Sequence, residues 1–242
     1  MEYLSFANRV GESQQPEIVL NLMDLSGSME SEDWTSTRKA GAIEANKEFI
    51  NLKAQNYPQD KVGIIGFGTS AKILQEPICV ADGTKSLYRA LKSPPSMGMT
   101  NFKAALKLAE TCLFSKSVPT SKSIGQKGLV GFFSELLYGP SQANQFSIKE
   151  ASSKDGCLRR IILLTDGDWN KGGTPLKVAN HLKDAGVIID CIGIASKEEV
   201  KENKLKEIAS RNADGTPRYC WIGSKKQLIR KYESLAHHIR PV

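Results

Sequence analysis

The sequence has no run of about 18 consecutive apolar residues, so no segment reads as a membrane-spanning helix. Its first stretch, MEYLSFANRVGESQQPE, lacks the basic start, apolar block and small-residue cleavage site of a secretory signal. There is no C-x-x-C pair. The five cysteines (Cys79, Cys112, Cys157, Cys191 and Cys220) are odd in number and scattered, which speaks against a disulfide framework and for reduced thiols. Together these absences lead to the expectation of a cytoplasmic protein. Also missing are a Walker-type phosphate loop, a G-x-S-x-G nucleophile turn and any internal repeat. The net charge is +7, yet no basic block is interleaved with aromatics, and lysines alternate with glutamates as in KEEVKENKLKE. That pattern reads as solvated helix faces, and nucleic-acid binding is not expected. The three histidines, His181, His237 and His238, fall in expected helices without cysteines or carboxylates at zinc-ligand spacing.

What is present fits one large α/β domain. At 242 residues and 40% hydrophobic content the chain can bury a full core, and residues 17–242 read as one domain behind a polar arm, 1–16. The organising stretch is EIVLNLMDLSGS. Ile18, Val19, Leu20, Leu22 and Met23 form an apolar run too short for a buried helix, so it reads as a strand covered on both faces. The carboxyl end of such a strand lies at the rim where open α/β sheets bind ligands. Asp24, Ser26 and Ser28 alternate along the following loop and can converge on one point. One carboxylate and two hydroxyls make a hard, all-oxygen donor set, suited to Mg²⁺ or Mn²⁺ and unsuited to Zn²⁺. The same pattern is also that of an ordinary turn whose serine caps the next helix. Two later stretches, 99–101 and 164–168, weigh for the ion.

Hydrophobic periodicity places a helix over 36–56, its stripe formed by Ala40, Ile43, Ala45, Phe49, Ile50 and Leu52, ended by Tyr57-Pro58. A strand over 62–67 follows, with a hairpin partner at the sheet edge over 71–78. Next come a helix over 84–92, a glycine-containing loop over 96–101 and a helix over 102–114 capped by Asn101. A buried strand over 160–165 ends in Asp166-Gly167-Asp168. The rest alternates: helix 175–185 stopped by Gly186, strand 187–194, charged helix 198–211, turn 212–217, strand 219–222 and helix 225–239. Strands alternating with helices mean a parallel sheet with helices on both faces. Residues 115–158 are too many for a plain connection. They read as an insertion whose middle, 128–138, is a short helix that either tucks against the domain, covers a site or meets a partner.

Three loops thus carry DLSGS, GMTNFKAAL and LLTDGD. In this order and context they resemble the von Willebrand factor A domain family, whose metal-ion-dependent adhesion site uses Asp-x-Ser-x-Ser, then a threonine, then an aspartate. The resemblance spans roughly 17–239. It implies a doubly wound, mostly parallel six-stranded sheet of order 3-2-1-4-5-6, with one antiparallel edge strand. It also implies one divalent ion (Mg²⁺, or Mn²⁺ or Ca²⁺) held by Asp24, Ser26, Ser28, Thr100 and Asp166. A position left open on that ion takes a glutamate or aspartate of another protein. Asp168 and Asn170 either hold waters around the ion or belong to a polar turn.

The function expected is that of a non-catalytic adaptor, similar to stand-alone bacterial members of the family in tellurite-resistance, stress or defence systems. An AAA+ ATPase, a kinase or a phosphatase is the kind of partner the resemblance suggests. A structural subunit that makes its contacts through the 115–158 insertion or the basic surface is the alternative. A metal-dependent hydrolase fits less well. A haloacid-dehalogenase-like site needs a second acid where Ser26 stands, and neither serine sits in a nucleophile motif.

Overall fold

The structure is a computed structural model that describes residues 15–114, 156–196 and 200–237. Strand β1 (Glu17–Asp24) is buried along nearly its whole length. It can be so only as the centre of a covered sheet. On one side it pairs in parallel with β2 (Lys61–Phe67), which pairs in turn, antiparallel, with the edge strand β3 (Ala71–Cys79). On the other side lie β4 (Leu158–Thr165), β5 (Ile188–Ile194) and β6 (Tyr219–Ile222), all parallel. The order is β3-β2-β1-β4-β5-β6, as the resemblance implies.

Helices cover both faces. Odd-numbered β1 residues Val19 and Met23 point to one core with α1 (Arg38–Asn56), α2 (Val80–Ala90) and the last helix, α6 (Lys225–Ala236). Leu20 and Leu22 point to the other, with α3 (Phe102–Phe114), α4 (Leu176–Asp184) and α5 (Glu202–Ile208). Two-residue alternation on a central strand thus feeds two cores. No helix among the described residues is long and apolar enough to cross a membrane. The cysteines are free thiols, with Cys191 buried.

Several elements differ from their sequence expectation. The buried face of α1 runs through Arg38, Gly41, Ala42, Ala45, Asn46, Phe49, Ile50 and Lys53, so Ala40, Ile43 and Leu52 stand at its margin. The periodicity is helical, but three of its buried members are polar, and an apolar stripe cannot show them. Helix α2 starts at Val80 rather than at 84, because Val80 N–H bonds the Asp60 carbonyl directly as β3 ends. Helix α5 is shorter than 198–211. Ser210 is drawn off to β5, its hydroxyl accepting from Ile189 N–H and its own N–H donating to the Ile189 carbonyl. Arg211 then bridges Pro217. Residues 115–155, which hold most of the expected insertion and its 128–138 helix, lie outside the described residues, as do 1–14 of the arm and 238–239 of the last helix.

Opposite the rim, at the amino ends of the strands, lies a buried ionic network. Lys53 Nζ bonds Glu17 Oε2 at 2.7 Å and Asp60 Oδ2 at 2.6 Å, and the Glu17 N–H donates to Asp60 Oδ1 at 2.9 Å. Beside it, Arg160 Nε reaches Asp190 Oδ2 at 2.7 Å and its Nη1 donates to the Leu235 carbonyl at 2.8 Å. These bonds fasten the ends of α1 and α6 to the sheet.

Candidate metal centre

Asp24 ends β1 fully buried. Its Oδ1 accepts from Ser26 N–H at 2.8 Å, an Asx-type turn, and its Oδ2 accepts from the Thr165 hydroxyl at the end of β4 at 2.6 Å. One oxygen is therefore held by the loop that follows β1 and the other by the end of β4. Ser26 opens a short 3-10 turn (Gly27–Glu30) without capping it through its side chain, and Thr37 caps α1. The turn-and-cap alternative thus does not account for the serines. The Ser26 and Ser28 hydroxyls lie 3.1 Å apart, and Ser28 donates to Asp166 Oδ1 at 2.8 Å.

Thr100 arrives on a neighbouring loop. Gly27 N–H bonds the Gly98 carbonyl at 3.0 Å, and Met97 N–H bonds the Leu25 carbonyl at 2.7 Å. Thr69 N–H in the β2–β3 turn bonds Met97 O, and a Cβ on Gly68 would stand 2.4 Å from that oxygen. Glycine is what allows the loops to close. Thr100 itself is clasped by the loop after β4: its N–H donates to Asn170 Oδ1 at 3.0 Å, and its carbonyl accepts from Asn170 and Lys171 N–H. Its own hydroxyl makes no hydrogen bond among the described residues. Asn101 caps α3 by accepting from Ala104 N–H at 3.0 Å, as expected.

Asp24, Ser26, Ser28 and Asp166 are thus in one hydrogen-bonded cluster, with Thr100 held at its side by backbone contacts. Asn170 positions Thr100. Asp168 Oδ2 accepts from Lys204 Nζ at 2.6 Å, and that ammonium lies 4.4 Å from the centre of the Trp169 ring. His181 Nε2 lies 3.2 Å from Glu110, and His237 lies 3.4 Å from the Tyr57 hydroxyl. Neither is joined to the cluster, and His238 lies outside the described residues.

Arg38 was not among the residues expected here. It sits in the first turn of α1, 5% exposed. Its Nη1 donates to Asp166 Oδ2 at 2.9 Å, and its Nε and Nη2 fork onto Asp33, Nη2–Oδ2 being 2.6 Å. Burial opposes its charge, but the bonds it donates to Asp33 and then to Asp166 outweigh this and raise its pKa above the ordinary value. The bond from Arg38 lowers the pKa of Asp33. A signal did exist in the sequence: a cation in the first turn of a helix opposes the helix dipole and so needs a partner.

The electrostatics of Asp24 test whether a cation fits. Burial first, and repulsion from Asp166 as well, raise its pKa to about 7, against the lowering by Thr165 and Ser26. A carboxylate held in this way beside a second one is costly until a positive charge joins it. The other donors are hydroxyls. Among the described residues there is no group of three or more His, Cys, Asp or Glu side chains able to hold a metal, so any ion here relies on serine and threonine oxygens. That set fits a hard divalent cation.

Comparison with known proteins agrees with the architecture. Two family models, each described as von Willebrand factor type A domain, match residues 19–135 and 140–220. Among curated proteins, the uncharacterized protein YabS of Bacillus subtilis (strain 168) is 35% identical over 54 residues, 22% of either chain. The SpRpn10 VWA domain superposes with a TM-score of 0.60 at 16% identity, covering 91% of this chain and 95% of that one. Proximal thread matrix protein 1 from the mussel byssus, with a zinc-occupied MIDAS motif, gives 0.62 at 18% identity, covering 92% and 47%. The chain therefore spans about half the length of the mussel protein, and its match spans less of YabS.

Proposed function

We infer, from the premise that this chain belongs to the von Willebrand factor type A domain family, that it is a metal-dependent protein-binding module. The observation that carries this is the convergence of two carboxylates and two serine hydroxyls at the carboxyl end of the sheet, with Asp24 buried and aimed. Asp24, Ser26, Ser28, Thr100 and Asp166 would hold one divalent ion. Mg²⁺ suits the hard oxygens best, with Mn²⁺ or Ca²⁺ as substitutes. The zinc of the mussel relative belongs to that protein, and the preference here rests on this chain's donors. When bound, the ion supplies a Lewis-acidic position for a carboxylate oxygen from another protein. The chain's own task is to orient: Thr165 and the Ser26 N–H fix Asp24, Asn170 fixes Thr100, and Ser28 couples the first loop to Asp166.

The reading is of an adaptor rather than an enzyme. It is cytoplasmic, and its partner, of the AAA+ ATPase, kinase or phosphatase kind, presents a glutamate or aspartate. The test is capture of partners from native lysate on the immobilised protein, in Mg²⁺ and in EDTA, for the wild type and Asp24→Ala. A protein retained about tenfold more in Mg²⁺, and lost with Asp24→Ala, is the expected result. Partners indifferent to both chelation and substitution would show that binding does not pass through the ion.

A further inference from the structure

Asp166 has its side chain fully enclosed and already carries a cation of the chain's own making: Arg38, Nη1 to Oδ2 at 2.9 Å. We propose that Arg38 is a resident counter-cation of the centre, competing with the divalent ion for Asp166, and that the Asp33–Arg38 pair thereby sets the site's metal affinity. This rests on the metal-site reading above and goes beyond it. The five-residue donor set neither includes Arg38 nor assigns it a role.

The geometry supports competition rather than static scaffolding. Of the four hydrogen bonds from the guanidinium to these two carboxylates, three go to Asp33 and one to Asp166. Release of Asp166 therefore leaves the guanidinium still forked onto a carboxylate, with no need to move into water alone. Asp33 is placed for that duty. Its side chain is 42% exposed, on the loop between the serine-bearing turn and α1, and that loop is tied back by Arg38 N–H to the Ser31 carbonyl at 3.1 Å. On the other side, Asp166 Oδ1 is engaged by Ser28. Oδ2 is thus the oxygen where a second cation and Arg38 meet. A positive charge beside a buried carboxylate weakens the binding of another cation there, because the medium screens little.

The expected consequence has a sign that loss of structure would not produce. Calorimetric titration with Mn²⁺ alone should show Arg38→Ala binding the ion at least about tenfold more tightly than the wild type. Arg38→Lys, which keeps the charge, should return most of the way to wild-type affinity. Asp33→Asn should weaken the ion by about threefold or more, and that loss should vanish in the Arg38→Ala background if Asp33 acts through the guanidinium. Arg38→Gln, with similar length and hydrogen-bonding capacity, replaces the alanine variant should the latter fail to fold. Unchanged or weaker Mn²⁺ binding by the charge-removed variant, with the wild type still binding, would overturn the role of Arg38 and leave the metal site standing. If neither wild type nor variant binds Mn²⁺, the metal-site reading falls and this inference with it.

Discussion

Replacing Lys53 with methionine is expected to lower the unfolding free energy by about 3–5 kcal/mol, a large part of the roughly 5–15 kcal/mol a domain has. The ammonium is wholly enclosed and bonds two carboxylates, Glu17 and Asp60, each about 1% exposed. Methionine preserves the packing of the stem but removes the cation that both carboxylates bond inside a low-dielectric pocket. Arg160 Nη1 is 3.9 Å from Glu17 and already spends its Nε on Asp190, so it cannot neutralise both. The measurement is urea denaturation, with the midpoint shifting at unchanged slope. A triple variant, Glu17→Gln, Lys53→Met and Asp60→Asn, should recover much of the loss, since it removes both buried negative charges along with the cation that balanced them. By contrast, breaking the half-exposed Lys206–Glu202 pair of α5 should cost only about 0.3–0.5 kcal/mol. A Lys53→Met loss as small as that would mean that water enters the network.

Removing a different charge should do the reverse. In the protein stripped of divalent ions, Asp24→Asn is expected to raise stability at pH 8. The Asp24 carboxyl has its pKa lifted to about 7 by burial and by Asp166, whereas in the unfolded chain it titrates near about 4. Ionising it therefore costs the folded state nothing below about pH 4, progressively more between about pH 4 and 7, and the full amount above. That amount is up to about 4 kcal/mol. Asparagine keeps the acceptor for Ser26 N–H, and the Thr165 hydroxyl can turn to accept from the new amide. Urea melts in EDTA at pH 5 and pH 8 should show the variant's advantage growing with pH. Saturating Mn²⁺ should then reverse the ranking at pH 8, by stabilising only the protein that binds it. An Asn variant no more stable than the wild type in EDTA at pH 8 would contradict the buried-charge account.

Much of the fold could be read from local signals. The apolar runs now seen as β1, β2, β4 and β5 are short, β-branched and followed by small or acidic residues, so both their state and the position of their carboxyl ends were plain. Asp24, Ser26 and Ser28 were legible from their place on the loop after an apolar strand, whereas Thr100 and Asp166 entered through the resemblance of GMTNFKAAL and LLTDGD to the von Willebrand factor A family. What was hidden depends on partners distant in the chain. Arg38 meets Asp166 across 128 residues, and Lys53 meets Glu17 across 36. Nothing near Lys53 says that its charge is buried, and for Arg38 the one local signal is its place in the first turn of a helix. The same blindness turned the expected face of α1, since Asn46 and Lys53 occupy positions that an apolar pattern assigns to solvent. Asp168 was grouped with Asp166 by proximity in sequence, and its ion pair with Lys204, 36 residues on, was not foreseen.

The central claim is that the loops after β1 and β4, with the loop before α3, hold one divalent cation. Its most direct test is equilibrium titration of the purified protein with Mn²⁺, repeated for Asp24→Asn and Thr100→Ala. The account predicts saturation at one ion per chain, loss of binding by about a hundredfold or more in Asp24→Asn, and weakening in Thr100→Ala. No saturable binding to the wild type, or equal binding by Asp24→Asn, would contradict it.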